Sequence, residues 1–416
     1  MSGPDWSRLI PVNVVTGFLG SGKTTLLRRL LVSPRLASTA VLVNEFGEVG
    51  LDHHLLEPVA GDMVLLDNGC VCCAVRDDLR GALLDLHGRR ERREAPRYDR
   101  VVIESSGLAD PAPVLHTLTA DPVLRHHYRP GAVVTVVDAL HGSAQLERHP
   151  ESVRQAALAD RLILTKTDLA ERESVRFLEG RLRALNPAAS IRRAAPPGGD
   201  GEEDERAIGP DPVALLVDDV HRAQSRQAEA ERWLGLGPGA EPGELPMAPA
   251  RAGDCAAEPE SGARGRVGIV AGARPEHLRP ASSATRTGEP PSGAAPHRHT
   301  EDVTSFRIET DEPIDWTVFG IWLGMLLHRH GENILRVKGI VDVPGLDGPV
   351  LLNAVQHTVH PPTHLPAWPR TWERDEGGTG PWRGSRIVFI VHGLDRGPVE
   401  RSLAAFRDAL GPAPAH

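Results

Sequence analysis

Gly17-Phe18-Leu19-Gly20-Ser21-Gly22-Lys23-Thr24-Thr25 reads Gly-x-x-x-x-Gly-Lys-Thr, with the apolar run Val12 to Val15 before it and the helix-like run Leu26 to Val32 after it. A strand, a glycine-rich turn and a helix in that order form a phosphate-binding loop. The pattern places backbone N–H groups of Gly17, Gly20, Ser21, Gly22, Lys23, Thr24 and Thr25 around phosphate oxygens, with the positive end of the helix behind them. Lys23 then reaches the terminal phosphates, and the Thr24 hydroxyl is a Mg²⁺ ligand.

From about residue 10 to 190, short apolar β-branched runs alternate with helical patterns. That alternation predicts an α/β domain with a mostly parallel sheet and helices on both faces. The expected strands are Val12 to Val15, Ala40 to Val43, Val101 to Ile103, Val133 to Val137 and Leu162 to Leu164. Ligand-binding residues then belong just past their C-terminal ends.

Two later loops fit that rule. After Ile103 comes Glu104-Ser105-Ser106-Gly107, where such proteins put a Mg²⁺-side carboxylate and a glycine whose N–H meets the γ-phosphate. After Leu164 comes Thr165-Lys166-Thr167-Asp168, a variant of the Asn-Lys-x-Asp loop. An Asp at position 168 accepts two N–H bonds from guanine, and adenine offers no such pair, so the expected nucleotide is GTP.

Gly69-Cys70-Val71-Cys72-Cys73 stands between these motifs. Three of the chain's four Cys lie here, too close together for easy disulfides. As thiolates they are soft ligands of the kind that Zn²⁺ takes. Asn44-Glu45-Phe46-Gly47-Glu48-Val49-Gly50 follows the second strand, where a nucleotide-sensing switch normally sits, and Glu45 or Glu48 is a candidate metal ligand. The histidines at 357, 360 and 364, around Pro361-Pro362, are expected to be exposed loop residues.

Composition narrows the partners. Lys and Arg number 47 against 56 Asp and Glu, so no cationic excess points to nucleic acid. No run approaches the length of a membrane span, and the N-terminus leads straight into the first strand, so a cytoplasmic protein is expected. After Pro196 the chain becomes rich in Pro, Gly, Ala, Glu and Arg, which predicts a disordered linker over about 223–300. Asp211 to Ala223 carries apolar residues at helical spacing and reads as a closing helix of the first domain. Order returns near Val303, and the pattern strand, helix, three strands, helix predicts a small α+β domain. The expected boundaries are 8–222, 223–300 and 301–411.

With those motifs in that order, the stretch 11–190 resembles the CobW-like P-loop GTPases, and 303–408 resembles that family's C-terminal domain. The resemblance implies a metal-handling GTPase of the zinc-transfer, cobalamin-related or metalloenzyme-activating kind. It implies that Cys70, Cys72 and Cys73 bind Zn²⁺ or Co²⁺, that Glu104 is the family's Glu in the Mg²⁺ motif, and that the partner is a client apo-metalloprotein. Thr165 stands where Asn is commoner in the family. Two other readings remain open: a metal-buffering module in which GTP only supports the fold, and a kinase acting on a small molecule, which would prefer ATP.

Overall fold

The structure is a computed structural model, and it describes residues 6–43, 75–194, 216, 303–368 and 383–410. Glu45, Glu48, Cys70, Cys72, Cys73 and nearly all of the expected linker lie outside the described residues.

The first domain runs β1 (Ile10–Thr16), α1 (Lys23–Leu31), β2 (Thr39–Val43), α2 (Val75–Glu91), β3 (Arg100–Glu104), α3 (Ala112–Ala120) and β4 (Tyr128–Asp138). It continues through α4 (Gly142–Arg148), α5 (Pro150–Leu158), β5 (Arg161–Thr165), α6 (Arg172–Leu185) and β6 (Ser190–Arg193). The six strands form one sheet in the order β2-β3-β1-β4-β5-β6, all parallel. Every residue of β3 and β5 is buried, as a sheet covered on both faces requires. The five expected strands are all present, each longer by one to several residues. β6 was not anticipated because Arg192 and Arg193 break its apolar run; it sits at the sheet edge and is only partly buried.

Asn13, buried within β1, shows how a polar residue is accommodated there. Its Oδ1 accepts the Ala132 N–H at 2.8 Å, where the β1–β4 register shifts, and its Nδ2 donates to the Leu216 carbonyl at 3.3 Å. Leu216 is buried in the same core as Val15, Leu27 and Val134. This is the one described residue of the expected closing helix.

The second domain runs β7 (Val303–Thr310), α7 (Trp316–His330), β8 (Ile334–Val341), β9 (Val350–Val355), β10 (Thr358–Val359), β11 (Thr363–His364), β12 (Ser385–His392) and α8 (Arg396–Leu410). Its antiparallel sheet has the order β10-β9-β8-β12-β7, with β11 also paired to β9. The helices α7 and α8 cover one face, where Phe319, Trp322 and Leu327 meet Val337, Phe389, Val399 and Leu403. The Trp322 indole N–H donates to Ser402 Oγ at 2.9 Å, so this tryptophan is a core residue with its polar atom satisfied. α7 starts at Trp316 because the Asp315 side chain caps it, accepting the Thr317 and Val318 N–H groups.

Two details depart from expectation. Of the three strands expected between the helices, the middle one is a hairpin of β9 and β10, turned at Gln356-His357 with Gln356 at φ 49 and no glycine to announce it. His360 is buried instead of exposed, its Nδ1 3.1 Å from the Asn353 amide.

The other face of the second sheet packs on the first domain. Leu335, Val355 and Ile390 join the core that holds Leu115, Ala157 and Leu158. Ser305 Oγ donates to the Ala184 carbonyl at 2.7 Å. At the centre of the seam Asp160, just before β5, lies 2.5 Å from the Arg336 guanidinium and 2.6 Å from Lys338 Nζ. Arg336 also donates to the Leu158 carbonyl, and Asp160 Oδ2 accepts the Val133 N–H at 2.9 Å. Burial by itself would raise the Asp160 carboxyl, but Arg336 and Lys338 outweigh it and hold the group well below the usual carboxylate range.

Candidate functional site

The loops at the C-terminal ends of β1, β3, β4 and β5 converge on one edge of the parallel sheet. Their residues join through a small set of hydrogen bonds.

The turn after β1 is a cradle that side chains cannot enter. Gly17 has φ 140, and a Cβ there would lie 2.1 Å from the Val136 carbonyl oxygen. Lys23, at the start of α1, folds back over the turn, its Nζ donating to the Gly17 carbonyl at 2.9 Å and the Phe18 carbonyl at 3.3 Å. The Ser21 and Ser106 hydroxyls are buried with no hydrogen-bond partner among the described residues. An orphaned buried hydroxyl just before a helix N-terminus, as Ser21 is before α1, suits a bound phosphate.

Thr24, in the first turn of α1, donates its hydroxyl to Glu104 Oε1 at 2.5 Å. β1 and β3 are neighbours with Val15 opposite Glu104, so the carboxylate ends β3 directly beside the loop. A hydroxyl and a carboxylate form a hard oxygen pair of the kind Mg²⁺ takes alongside nucleotide phosphates. The Ser105 hydroxyl is turned away, donating to Thr16 Oγ1 at 2.8 Å.

Gly107 lies against the cradle: a Cβ there would fall 2.7 Å from the Leu19 backbone nitrogen. Gln155 on α5 holds the loop from below, Nε2 donating to the Gly107 carbonyl at 3.1 Å and the Ala109 carbonyl at 3.0 Å. Further along, Asp110 Oδ1 accepts the Ala112 N–H at 2.8 Å. Burial pushes the Asp110 carboxyl up, against that hydrogen bond and the nearby Arg154.

The loop after β5 is tied to the cradle twice. Thr165 Oγ1 donates to the Ser21 carbonyl at 2.7 Å, and Lys166 Nζ donates to the Gly20 carbonyl at 2.9 Å. Lys166 adopts φ 58, a strained position for a lysine, and its ammonium also bonds the buried Asp138 carboxylate at 2.7 Å. Asp138 is held in turn by the Leu140 and His141 N–H groups on its other oxygen. Asp168 is exposed at the open end of this loop.

The structure thus brings together Gly17, Gly20, Ser21, Gly22, Lys23, Thr24, Glu104, Gly107, Thr165 and Lys166. Two contributors were missed in the sequence. Asp138 ends an expected strand as Glu104 does, and that position was the available signal. Gln155 is one polar residue on a helix face, and nothing in a single sequence distinguishes it.

Comparison with known proteins agrees with this build. Residues 11–193 match the CobW/HypB/UreG nucleotide-binding domain, and residues 303–407 match the cobalamin synthesis protein CobW C-terminal domain. The chain belongs to the CobW-like P-loop GTPase family. It is 40% identical over 183 residues to the zinc chaperone YjiA of Escherichia coli, a stretch covering 44% of this chain and 57% of that protein. It is 36% identical over 189 residues to zinc-regulated GTPase metalloprotein activator 1 of Schizosaccharomyces pombe, covering 44% of this chain and 45% of that one. The chain therefore spans about half the length of these two relatives. The zinc chaperone CobW of Sinorhizobium matches end to end, 27% identical, with 95% of this chain and 97% of that protein covered. Among solved structures, Zn(II)-bound YjiA GTPase from E. coli superposes over 96% of this chain and 99% of that one, with TM-score 0.56 and 24% identity. That likeness establishes the two-domain fold. No helix among the described residues is long and apolar enough to cross a membrane.

Proposed function

We propose that this protein is a GTP-hydrolysing metallochaperone that loads Zn²⁺, or Co²⁺, on Cys70, Cys72 and Cys73 and passes it to a client apo-metalloprotein in the cytoplasm. The observation that carries this reading is where the described residues on either side of 44–74 lie. Before it, Val43 ends β2 in register with Glu104, and after it Val75 opens α2, two residues past Cys73. A thiolate cluster in a segment whose preceding residue, Val43, pairs with the Mg²⁺-side carboxylate is suited to feel the nucleotide. The names of the relatives, zinc chaperone and metalloprotein activator, support the same direction.

In this reading the cradle and Lys23 bind the GTP phosphates, and Asp168 accepts from the guanine edge while Thr165 and Lys166 hold its loop. Thr24 and Glu104 hold Mg²⁺, which when bound offsets the negative charge that builds up on the phosphates. The Gly107 N–H reports the γ-phosphate, and Glu45 to Gly50 orders around it. The change in that segment is what alters the grip of the cysteines on their cargo. Nothing in the sequence motifs positions an attacking water, so the isolated chain turns over slowly and a client raises the rate.

Coupling of this kind is reciprocal: GTP must change metal affinity by the factor by which metal changes GTP affinity. The test is a Zn²⁺ titration with and without a non-hydrolysable GTP analogue, repeated with the three cysteines changed to serine. Identical Zn²⁺ affinities in the two nucleotide states would sink the reading. Transfer of metal to an apo-client that survives Lys23→Ala would favour a metal buffer in which GTP is structural.

A further inference from the structure

We propose that α5 is the mechanical link between the nucleotide site and the C-terminal domain, with Gln155 as the positioning residue at its centre. This rests on the nucleotide half of the function proposed above and not on metal delivery.

The helix is held at three levels. At its N-terminal end the His149 ring packs against Phe18 of the phosphate cradle, with centroids 4.5 Å apart. In the middle, both amide hydrogen bonds of Gln155 go to the loop behind Glu104, at the Gly107 and Ala109 carbonyls. The Gln155 backbone carbonyl accepts the Thr135 hydroxyl at 2.8 Å, which seats this turn on β4. At the C-terminal end, Arg336 of the second domain takes the Leu158 carbonyl, and Arg336 with Lys338 takes Asp160 two residues on. A nine-residue helix is about 13 Å long and stiff along its axis, so a shift at one of these levels is felt at the others.

The chemistry gives the link a direction. Gln155 is almost fully buried, and its Oε1 has no partner among the described residues while Nε2 holds two. The loop behind Glu104 cannot rise toward a γ-phosphate without breaking those two bonds or drawing Gln155 with it. Either outcome changes the load on α5. At the far end the charges of Asp160, Arg336 and Lys338 are buried and mutually dependent, so they move with the helix or separate at large cost. The presence of the γ-phosphate is thereby read at the seam between the domains, in the same exchange of free energy that lets the C-terminal domain bias the site.

The test uses the full chain without metal or client. Affinities for GDP and for a non-hydrolysable GTP analogue are measured by calorimetry, and hydrogen exchange is followed over residues 334–341 in both states. In the unaltered protein, exchange in that strand is expected to differ about threefold or more between the two nucleotides. Gln155→Met keeps the bulk and removes the donor. It is expected to lower the ratio of analogue to GDP affinity about tenfold and to erase the difference in exchange. Arg336→Met is expected to move the same ratio from the seam. A glutamine that only supports the fold would instead lower the melting temperature and weaken both nucleotides equally, which would overturn the proposal. So would equal exchange of 334–341 in the two states of the unaltered chain. If Gln155→Met does not fold, Gln155→Glu serves: its carboxyl donates only when protonated, so the affinity ratio should recover relative to the unaltered chain as pH falls, and a flat ratio overturns the proposal. A chain that binds neither nucleotide would refute the site reading itself.

Discussion

The Thr165 hydroxyl donates to the Ser21 carbonyl at 2.7 Å and so ties the loop after β5 to the phosphate cradle. Asparagine is commoner at this position in the family, yet a shorter side chain makes the tie here. Thr165→Val keeps the shape and deletes the hydroxyl, leaving a buried carbonyl short of a donor. GTP affinity is expected to fall about fivefold to tenfold, with Thr165→Ser restoring it. A titration with a fluorescent guanine nucleotide reads this directly.

Glu104 receives the Thr24 hydroxyl and lies beside the cradle. Glu104→Gln removes the charge without changing the shape. Hydrolysis is expected to drop by about a hundredfold or more, while nucleotide affinity measured without Mg²⁺ changes little. Mg²⁺ titration of the steady-state rate is the measurement, and an unchanged Mg²⁺ dependence would remove Glu104 from the metal site.

Asp168 sits exposed at the mouth of its loop, free to meet a base edge. Changing it to Asn replaces one of two acceptor positions with a donor. Preference is expected to pass from GTP to xanthosine triphosphate, whose ring carries a carbonyl where guanine carries its amino group. Competition between the two triphosphates gives the answer, and an unchanged preference would argue for a different base contact.

Asp160 has a carboxyl held below its ordinary value by Arg336 and Lys338. A depressed carboxylate contributes stability that is present above the unfolded value, near pH 4, and is lost as pH falls through the folded one. Asp160→Asn leaves Arg336 and Lys338 buried beside a neutral amide, and about 3–5 kcal/mol of stability is expected to go with it. The variant should also show a shallower loss of stability in acid than the unaltered chain. Denaturant melts across pH 3 to 7 test both statements.

Much of this molecule could be read from its residues because the physics was local. A strand buried on both faces is apolar whatever it touches, so Val101 to Ile103 and Leu162 to Leu164 announced β3 and β5. The cradle needs glycine at Gly17 and Gly107 for steric reasons that leave no choice. What stayed hidden depended on partners far apart in the chain. Nothing near them in sequence marks Asp160, Arg336 and Lys338 as one buried cluster; it exists only where the two domains meet. Gln155 is separated from Gly107 by 48 positions. The hairpin at Gln356 lacked the Asn-Gly or Asp-Gly pair that usually marks one.

Gly107 and Leu19 approach so closely that no methyl group fits between them. The cradle and the loop after β3 therefore share a single steric register, like two gear teeth that mesh at one point. Gly107→Ala drives a wedge into that mesh: it lifts one tooth from the other at Leu19. A single carbon atom would then separate the act of holding a nucleotide from the act of recognising how many phosphates it carries.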